Sequence, residues 1–221
     1  MIRTCGEHGC FRGDFCPICD DEGKFMMSDY EVERIGKGLA GMLRHGKYDP
    51  DMDDEGYVHL EDVLAILRRS NAKYTWLKVR HIQAIADTDP KGRYQISGSY
   101  VRARYGHTIE LNLNHPTDDI PPVLYYHIVP EELDNVLEEG IFPSKRALVH
   151  LSRTYWDSER VGSHHTDEPI ILEIDAVGCI ESGIEIGKAT DRIYLCDQVP
   201  SEYIKICESA PDEDSDLEED E

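Results

Sequence analysis

"RYQISGSYVRAR", residues 93–104, is where the chain changes period. Before it, apolar residues recur at helical intervals. Within it they alternate, and Ser97-Gly98-Ser99 supplies a turn, so the stretch predicts a β-hairpin. Upstream, Ser28 followed by Glu31 predicts a capping box, and Val32, Ile35, Leu39, Met42 and Leu43 form a helical stripe that Gly46 ends. A second helix is expected in "HLEDVLAILRRS", residues 59–70, and a third in "TWLKVRHIQAIAD", residues 75–87. Three helices followed by a hairpin predict a winged-helix-like lobe over residues 28–115.

Downstream the text becomes β-rich. Strands are expected in "PPVLYYHIVP" (121–130), "ALVHLS" (147–152), "PIILEIDA" (169–176), "GIEIG" (183–187), "RIYLC" (192–196) and "EYIKICE" (202–208), with Pro130 opening a helix that Gly140 closes. The fold class is therefore α+β, with a second lobe over residues 120–209. That lobe shows no glycine-rich phosphate loop, no His-Glu-x-x-His and no nucleophile elbow. His127 and His150 each stand inside an apolar strand. They are read either as hydrogen-bonded core histidines or as residues facing one cleft.

At the other end, "CGEHGCFRGDFCPIC" sets Cys5, Cys10, Cys16 and Cys19 within residues 1–27. A segment this short cannot bury its own core, and Cys16-Pro-Ile-Cys19 is a turn that lets two thiolates share an ion. Structural zinc on the four cysteines is expected, with His8 able to substitute for one thiolate and a redox pair as the competing reading. Four thiolates leave no open coordination position for catalysis.

The net charge is −22, but the last eleven residues, "PDEDSDLEEDE", hold eight carboxylates and leave −14 for the remainder. Residues 210–221 are expected to be a disordered acidic tail. An acidic bulk argues against broad electrostatic binding of nucleic acid, so a polyanion must be met by a local cationic pocket. Arg44 and His45 are candidates, although the last turn of a helix favours cations in any case. No apolar run approaches the ~18 residues of a membrane span, and no secretory layout opens the chain, so a cytoplasmic protein is expected.

Taken in order, "GKGLAGMLRH", "EGYVHLEDVL", "DPKGRYQI", "VRARYGHTIE", "LYYHIV", "EEGIFPSKRALVHLS" and "DRIYLCDQVP" resemble the NAD-dependent RNA 2'-phosphotransferases of the tRNA type, over about residues 28–208. The resemblance implies an ADP-ribosyltransferase-like fold for the second lobe. It also implies a catalytic set of Arg44, His45, Arg93 and Arg146, and an NAD site lined by His127, His150 and Ser152. The expected reaction is transfer of an internal RNA 2'-phosphate to NAD as co-substrate, in the manner of tRNA splicing, with arginines in place of a metal. Two departures are visible: His127-Ile128-Val129 where the family usually has His-Gly-Thr, and Tyr105-Gly106-His107 where it usually has Gln-Gly-His. The competing readings are an ADP-ribosyltransferase acting on nucleic-acid phosphate ends and a non-catalytic zinc/winged-helix nucleic-acid-binding protein.

Overall fold

The computed structural model describes residues 1–208 and Ala210; the expected acidic tail over 210–221 lies, Ala210 apart, outside the described residues. The described residues divide into two compact units, one of residues 1–113 and one that begins at Asn114.

The first unit opens with strands β1 (Ile2–Cys5), β2 (Gly9–Arg12) and β3 (Lys24–Met27), an antiparallel sheet in the order β2-β1-β3. Helix α1 (Asp29–His45) comes next. Its expected capping box is present: the Glu31 amide donates to Ser28 Oγ at 3.3 Å, and the Ser28 amide donates to Glu31 Oε2 at 2.9 Å. Gly46 ends the helix at φ 61°, the left-handed conformation that costs glycine least. After β4 (Val58–His59) come α2 (Leu60–Ser70), α3 (Val79–Asp87) and the hairpin β5 (Tyr94–Ser97) and β6 (Tyr100–Ala103), which forms a sheet in the order β4-β6-β5. The alternation in residues 93–104 thus becomes the expected hairpin, with Ser97 opposite Tyr100 beside the turn.

One core serves this whole unit. Ile35, Leu39, Met42 and Leu43 of α1 meet Val63 and Leu67 of α2 and Ile82 and Ile85 of α3, and Ile2 and Met27 are buried among them. Residues 1–27 therefore share the helices' core through one face of their sheet.

In the second unit, β7 (Val123–Ile128), β8 (Val149–Ser152), β9 (Ile170–Asp175), β10 (Gly187–Lys188), β11 (Ile193–Cys196) and β12 (Ile204–Ile206) form a six-stranded antiparallel sheet. Its order is β10-β11-β8-β7-β9-β12. Leu124 and Ile128, Val149 and Leu151, Leu172 and Ile174, and Tyr194 and Cys196 bury one face. Two-residue alternation sends the residues between them to the other face.

Pro130 opens a short turn, Pro130–Glu132, and helix α4 (Leu133–Glu139) follows it, starting three residues later than expected and closed by Gly140. Helices α5 (Tyr155–Gly162) and α6 (Ala176–Glu181) were not expected, because both are short and carry little apolar periodicity. The strand expected over 183–187 is reduced to Gly187–Lys188; Ile186 is buried and Ile184 packs on the core without joining the sheet. Among the described residues, no helix is long and apolar enough to cross a membrane.

Candidate active site and metal centre

Three of the expected active-site residues, Arg44, His45 and Arg93, belong to the first unit. Arg44 occupies the last turn of α1, where its guanidinium carbon lies 4.8 Å from the centre of the Tyr105 ring. Gly106, at φ +85°, lies against the same group: a Cβ built there would come within 3.0 Å of Arg44 Cζ and 3.1 Å of Nε. Glycine is required at this position both for its backbone conformation and for the space the guanidinium takes. The Thr108 amide then donates to the Arg44 carbonyl at 3.0 Å, and Thr108 Oγ1 is 2.9 Å from His45 Nδ1. Residues 105–108 thereby close the end of α1 and hold the Arg-His pair.

Burial depresses the Arg44 pKa, with Tyr105 and Tyr94 opposing that effect and the positive charge of Arg93 adding to it. Arg44 remains cationic at neutral pH. Its Nε and Nη2 are buried without a hydrogen-bond partner among the described residues. Tyr105 also hydrogen-bonds the guanidinium; since buried donors are ordinarily satisfied, Nε and Nη2 remain to meet a further acceptor.

Arg93 is fixed differently. Asp89, whose side chain is fully buried, accepts the Arg93 backbone amide at 2.7 Å and Nε at 3.0 and 3.1 Å. Burial alone would raise the Asp89 carboxyl, but the hydrogen bonds and charge of Arg93 outweigh it and hold the carboxyl low. Arg12, on β2, donates to the neighbouring Thr88 carbonyl at 2.6 Å, so the first sheet braces the turn that carries this clamp. Asp89, Gly106, Thr108 and Arg12 were not anticipated as site supports. "TDPKG" signalled only a break in the helical period, and what each residue touches depends on the folded chain. The nearby cation Arg102 has a structural role: it is buried over the Tyr57 ring at 4.6 Å and bonds Gln95 and Glu55.

The second unit carries the other four residues. Tyr125 pairs with Ser152, so strand alternation sets His127, His150 and Ser152 on one face of the sheet, opposite the apolar core. Helix α5 packs against the strands of that face. Tyr155 meets the Tyr125 ring edge-on at 6.3 Å, and Gly162 sits where a Cβ would approach His127 Cβ to 3.1 Å. His127 is held down to about pKa 4 by burial, then by His165 and Arg146, so it is neutral at pH 7. The ring of His165 lies parallel to that of His127 at 5.8 Å, although the sequence alone places His165 in a polar loop. His150 Nδ1 is 2.9 Å from the Leu148 carbonyl; as a carbonyl only accepts, Nδ1 carries the proton and the buried Nε2 is left as an acceptor. Arg146 is exposed on the connection between α4 and β8, close enough for its charge to be felt by His127.

The cysteine segment corrects the expected ligand set. Ligand atoms of Cys5, His8, Cys16 and Cys19 all lie within 4.8 Å of one another. Cys5 Sγ is 3.5 Å from His8 Nδ1 and 3.7 Å from Cys19 Sγ, and Cys16 Sγ is 3.6 Å from His8 Nδ1. A tetrahedral ion with bonds of about 2.3 Å to sulfur and about 2.0–2.1 Å to nitrogen spaces its ligand atoms about 3.5–3.8 Å apart, so the donors fit zinc. Backbone amides of Glu7 and His8 toward Cys5, and of Cys19 and Ile18 toward Cys16, lower those two thiols. Cys10 is excluded by register. It pairs with Thr4 while Cys5 pairs with Gly9, so Cys5 and Cys10 point to opposite faces, and Cys10 packs on the core.

Together these features describe a class: a two-unit α+β protein in which one arginine is buried at a helix end and another is clamped by a buried carboxylate. A sequence model described as "RNA 2'-phosphotransferase, Tpt1 / KptA family" matches residues 30–198. A probable RNA 2'-phosphotransferase of Thermoplasma acidophilum is 44% identical over 94% of this chain and 88% of its own length. Another, from Methanosarcina barkeri, is 40% identical over 94% of this chain and all of its own length. The chain belongs to the RNA 2'-phosphotransferase family. Coverage of 94% necessarily takes in part of residues 1–27, so the likeness extends into the segment that bears the metal-ligand cluster.

Proposed function

We propose that the protein transfers the internal 2'-phosphate of RNA to NAD, releasing nicotinamide and ADP-ribose 1'',2''-cyclic phosphate and leaving a 2'-hydroxyl on the RNA. The observation that carries this reading is Arg44: an arginine at the end of a helix, with two buried donors lacking a partner and Gly106 making room for it. Arg44, Arg93 and Arg146 bind the 2'-phosphate, and His45 adds a donor. In the first step the phosphate attacks the anomeric carbon of the nicotinamide ribose; nicotinamide departs as a neutral molecule and needs positioning more than acid catalysis. In the second, the ribose 2''-hydroxyl attacks phosphorus, and the fixed cations stabilise charge on the nonbridging oxygens. His127, His150 and Ser152 contact the dinucleotide, where neutral His127 offers a hydrogen bond without adding charge.

This assigns residues 28–115 as a winged-helix-like RNA-binding lobe and residues 120–209 as an ADP-ribosyltransferase-like NAD-binding lobe. The three helices with the β4-β6-β5 sheet and the six-stranded antiparallel sheet support those folds. A structural zinc on Cys5, His8, Cys16 and Cys19 joins the ends of the first sheet, and tRNA in the cytoplasm is the expected substrate.

The test is incubation with NAD and a short RNA carrying one internal 2'-phosphate, tracking RNA and nucleotide by mass. Loss of phosphate that depends on NAD, with release of nicotinamide and the cyclic phosphate, is expected. Persistence of an ADP-ribosylated RNA would replace the two-step reading with a one-step transferase. Affinity for RNA with NAD left intact would favour a binding protein.

A further inference from the structure

The segment 68–80, "RRSNAKYTWLKVR", reverses the character of the chain. It holds five cations and no carboxylate, in a protein with 45 acidic and 23 basic residues. Arg68, Arg69, Lys73, Lys78 and Arg80 are all exposed. Among the described residues none of them forms an ion pair. The segment is not loose: Arg68 donates to the Leu77 carbonyl at 3.1 Å, and Leu77 is fully buried. Trp76, 37% exposed, packs edge-on against His81 at 5.0 Å.

The surface continues onto α1. Arg34 bonds Tyr74 and donates to the hydroxyl of Tyr30, whose ring is 65% exposed. Two carboxylates on that part of α1 are already engaged, Glu31 by the Ser28 cap and Glu33 by Lys37 at 2.6 Å. A strip of six cations with two partly exposed aromatic rings therefore stands on an otherwise acidic chain. Lysine and arginine neutralise successive phosphates, and exposed rings accept a stacked base.

We infer that this strip binds the RNA body through its phosphodiester backbone, apart from the residues that handle the 2'-phosphate. It rests on the proposed activity for the identity of the polyanion. Because backbone contacts read charge and spacing, the strip distinguishes a long RNA from a short one and not one sequence from another.

The experiment replaces Arg69, Lys73, Lys78 and Arg80 together by Glu, and in a second variant by Gln, leaving Arg68 to hold Leu77. Binding of a tRNA-sized stem-loop is measured without NAD across a salt series. Turnover is measured on that RNA and on a short oligonucleotide, each carrying one 2'-phosphate. Affinity for the long RNA should fall about 10-fold or more in the Glu variant and less in the Gln variant, with the log-log salt slope shallower by about 3. Turnover of the short substrate should match the parent. Unchanged long-RNA affinity and salt slope in both variants would overturn the inference, as would an equal loss on short and long substrates. If the parent turns over neither RNA, the phosphotransferase reading fails, while the binding series still decides whether the strip holds RNA.

Discussion

At Gly106 the requirement is steric and conformational at once. An added Cβ would sit 3.0–3.2 Å from three atoms of the Arg44 guanidinium, on a backbone at φ +85° that L-residues avoid. Gly106→Ala should therefore cost about 1–2 kcal/mol of stability and lower turnover more than a surface alanine would, because Arg44 must move. Thermal unfolding and single-turnover rates check both parts; unchanged turnover would remove Gly106 from the site. Asp89→Asn tests the other arginine. It leaves Arg93 without its buried counter-charge and should destabilise by about 1–3 kcal/mol, discounted because Arg93 is partly exposed. As the Asp89 pKa is depressed in the fold, its stabilisation is present above the unfolded value near 4 and lost as pH falls through the folded value. The stability gap between parent and Asp89→Asn should thus be full at pH 6 and shrink below about pH 4. A gap that stays constant down to pH 2 would contradict the clamp. Arg44 and Arg93 could be singled out from the sequence because their motifs resemble a known family. Their supports could not, since Asp89 in "TDPKG" and Gly106 in "YGH" look like ordinary turn residues until their neighbours are known.

Elements were legible where periodicity is strong and capped. Helix α1, with Ser28, Glu31 and Gly46 at its ends, and the hairpin over 93–104 emerge directly from the pattern. Helix α5 was not legible, because its eight residues begin at a Thr154 cap and then carry few apolar positions; packing on the sheet, rather than propensity, holds it. The same limit explains the metal ligands. Spacing brought four cysteines together, but the pairing of Cys5 with Gly9 turns Cys10 toward the core and leaves His8 in the hairpin turn. The consequence is testable by metal analysis of purified variants. Parent and Cys10→Ala should each carry one equivalent of zinc, while Cys16→Ala and His8→Ala should bind it substantially less tightly. Loss of zinc in Cys10→Ala with retention in His8→Ala would restore the four-cysteine set.

For the molecule as a whole, the decisive feature is that each unit has its own core, and that the cysteine sheet belongs to the first. Composition marks residues 1–27 as a cysteine-rich zinc-binding segment ahead of the helical stretch that begins at Ser28; the burial of Ile2 and Met27 among Leu39, Met42 and Ile82 could not be read from a four-residue strand. A metal at one end of that sheet therefore bears on more than the cysteines. β1 and β3 carry core residues, and Arg12 on β2 holds the Thr88 carbonyl beside the Asp89 clamp on Arg93. Since a structural metal contributes its binding free energy to folding, removing it should loosen the elements tied to the sheet first. Hydrogen exchange on the full chain, before and after chelation, should show faster exchange over β1–β3 and the 88–93 turn. Strands β7, β8 and β9, whose core contains residues of the second unit only, should keep their protection. Equal loss of protection in both units would mean that the metal supports the fold globally. No change after verified metal removal would mean that the Ile2 and Met27 packing holds the sheet without it, and that Arg93 is positioned by Asp89 alone.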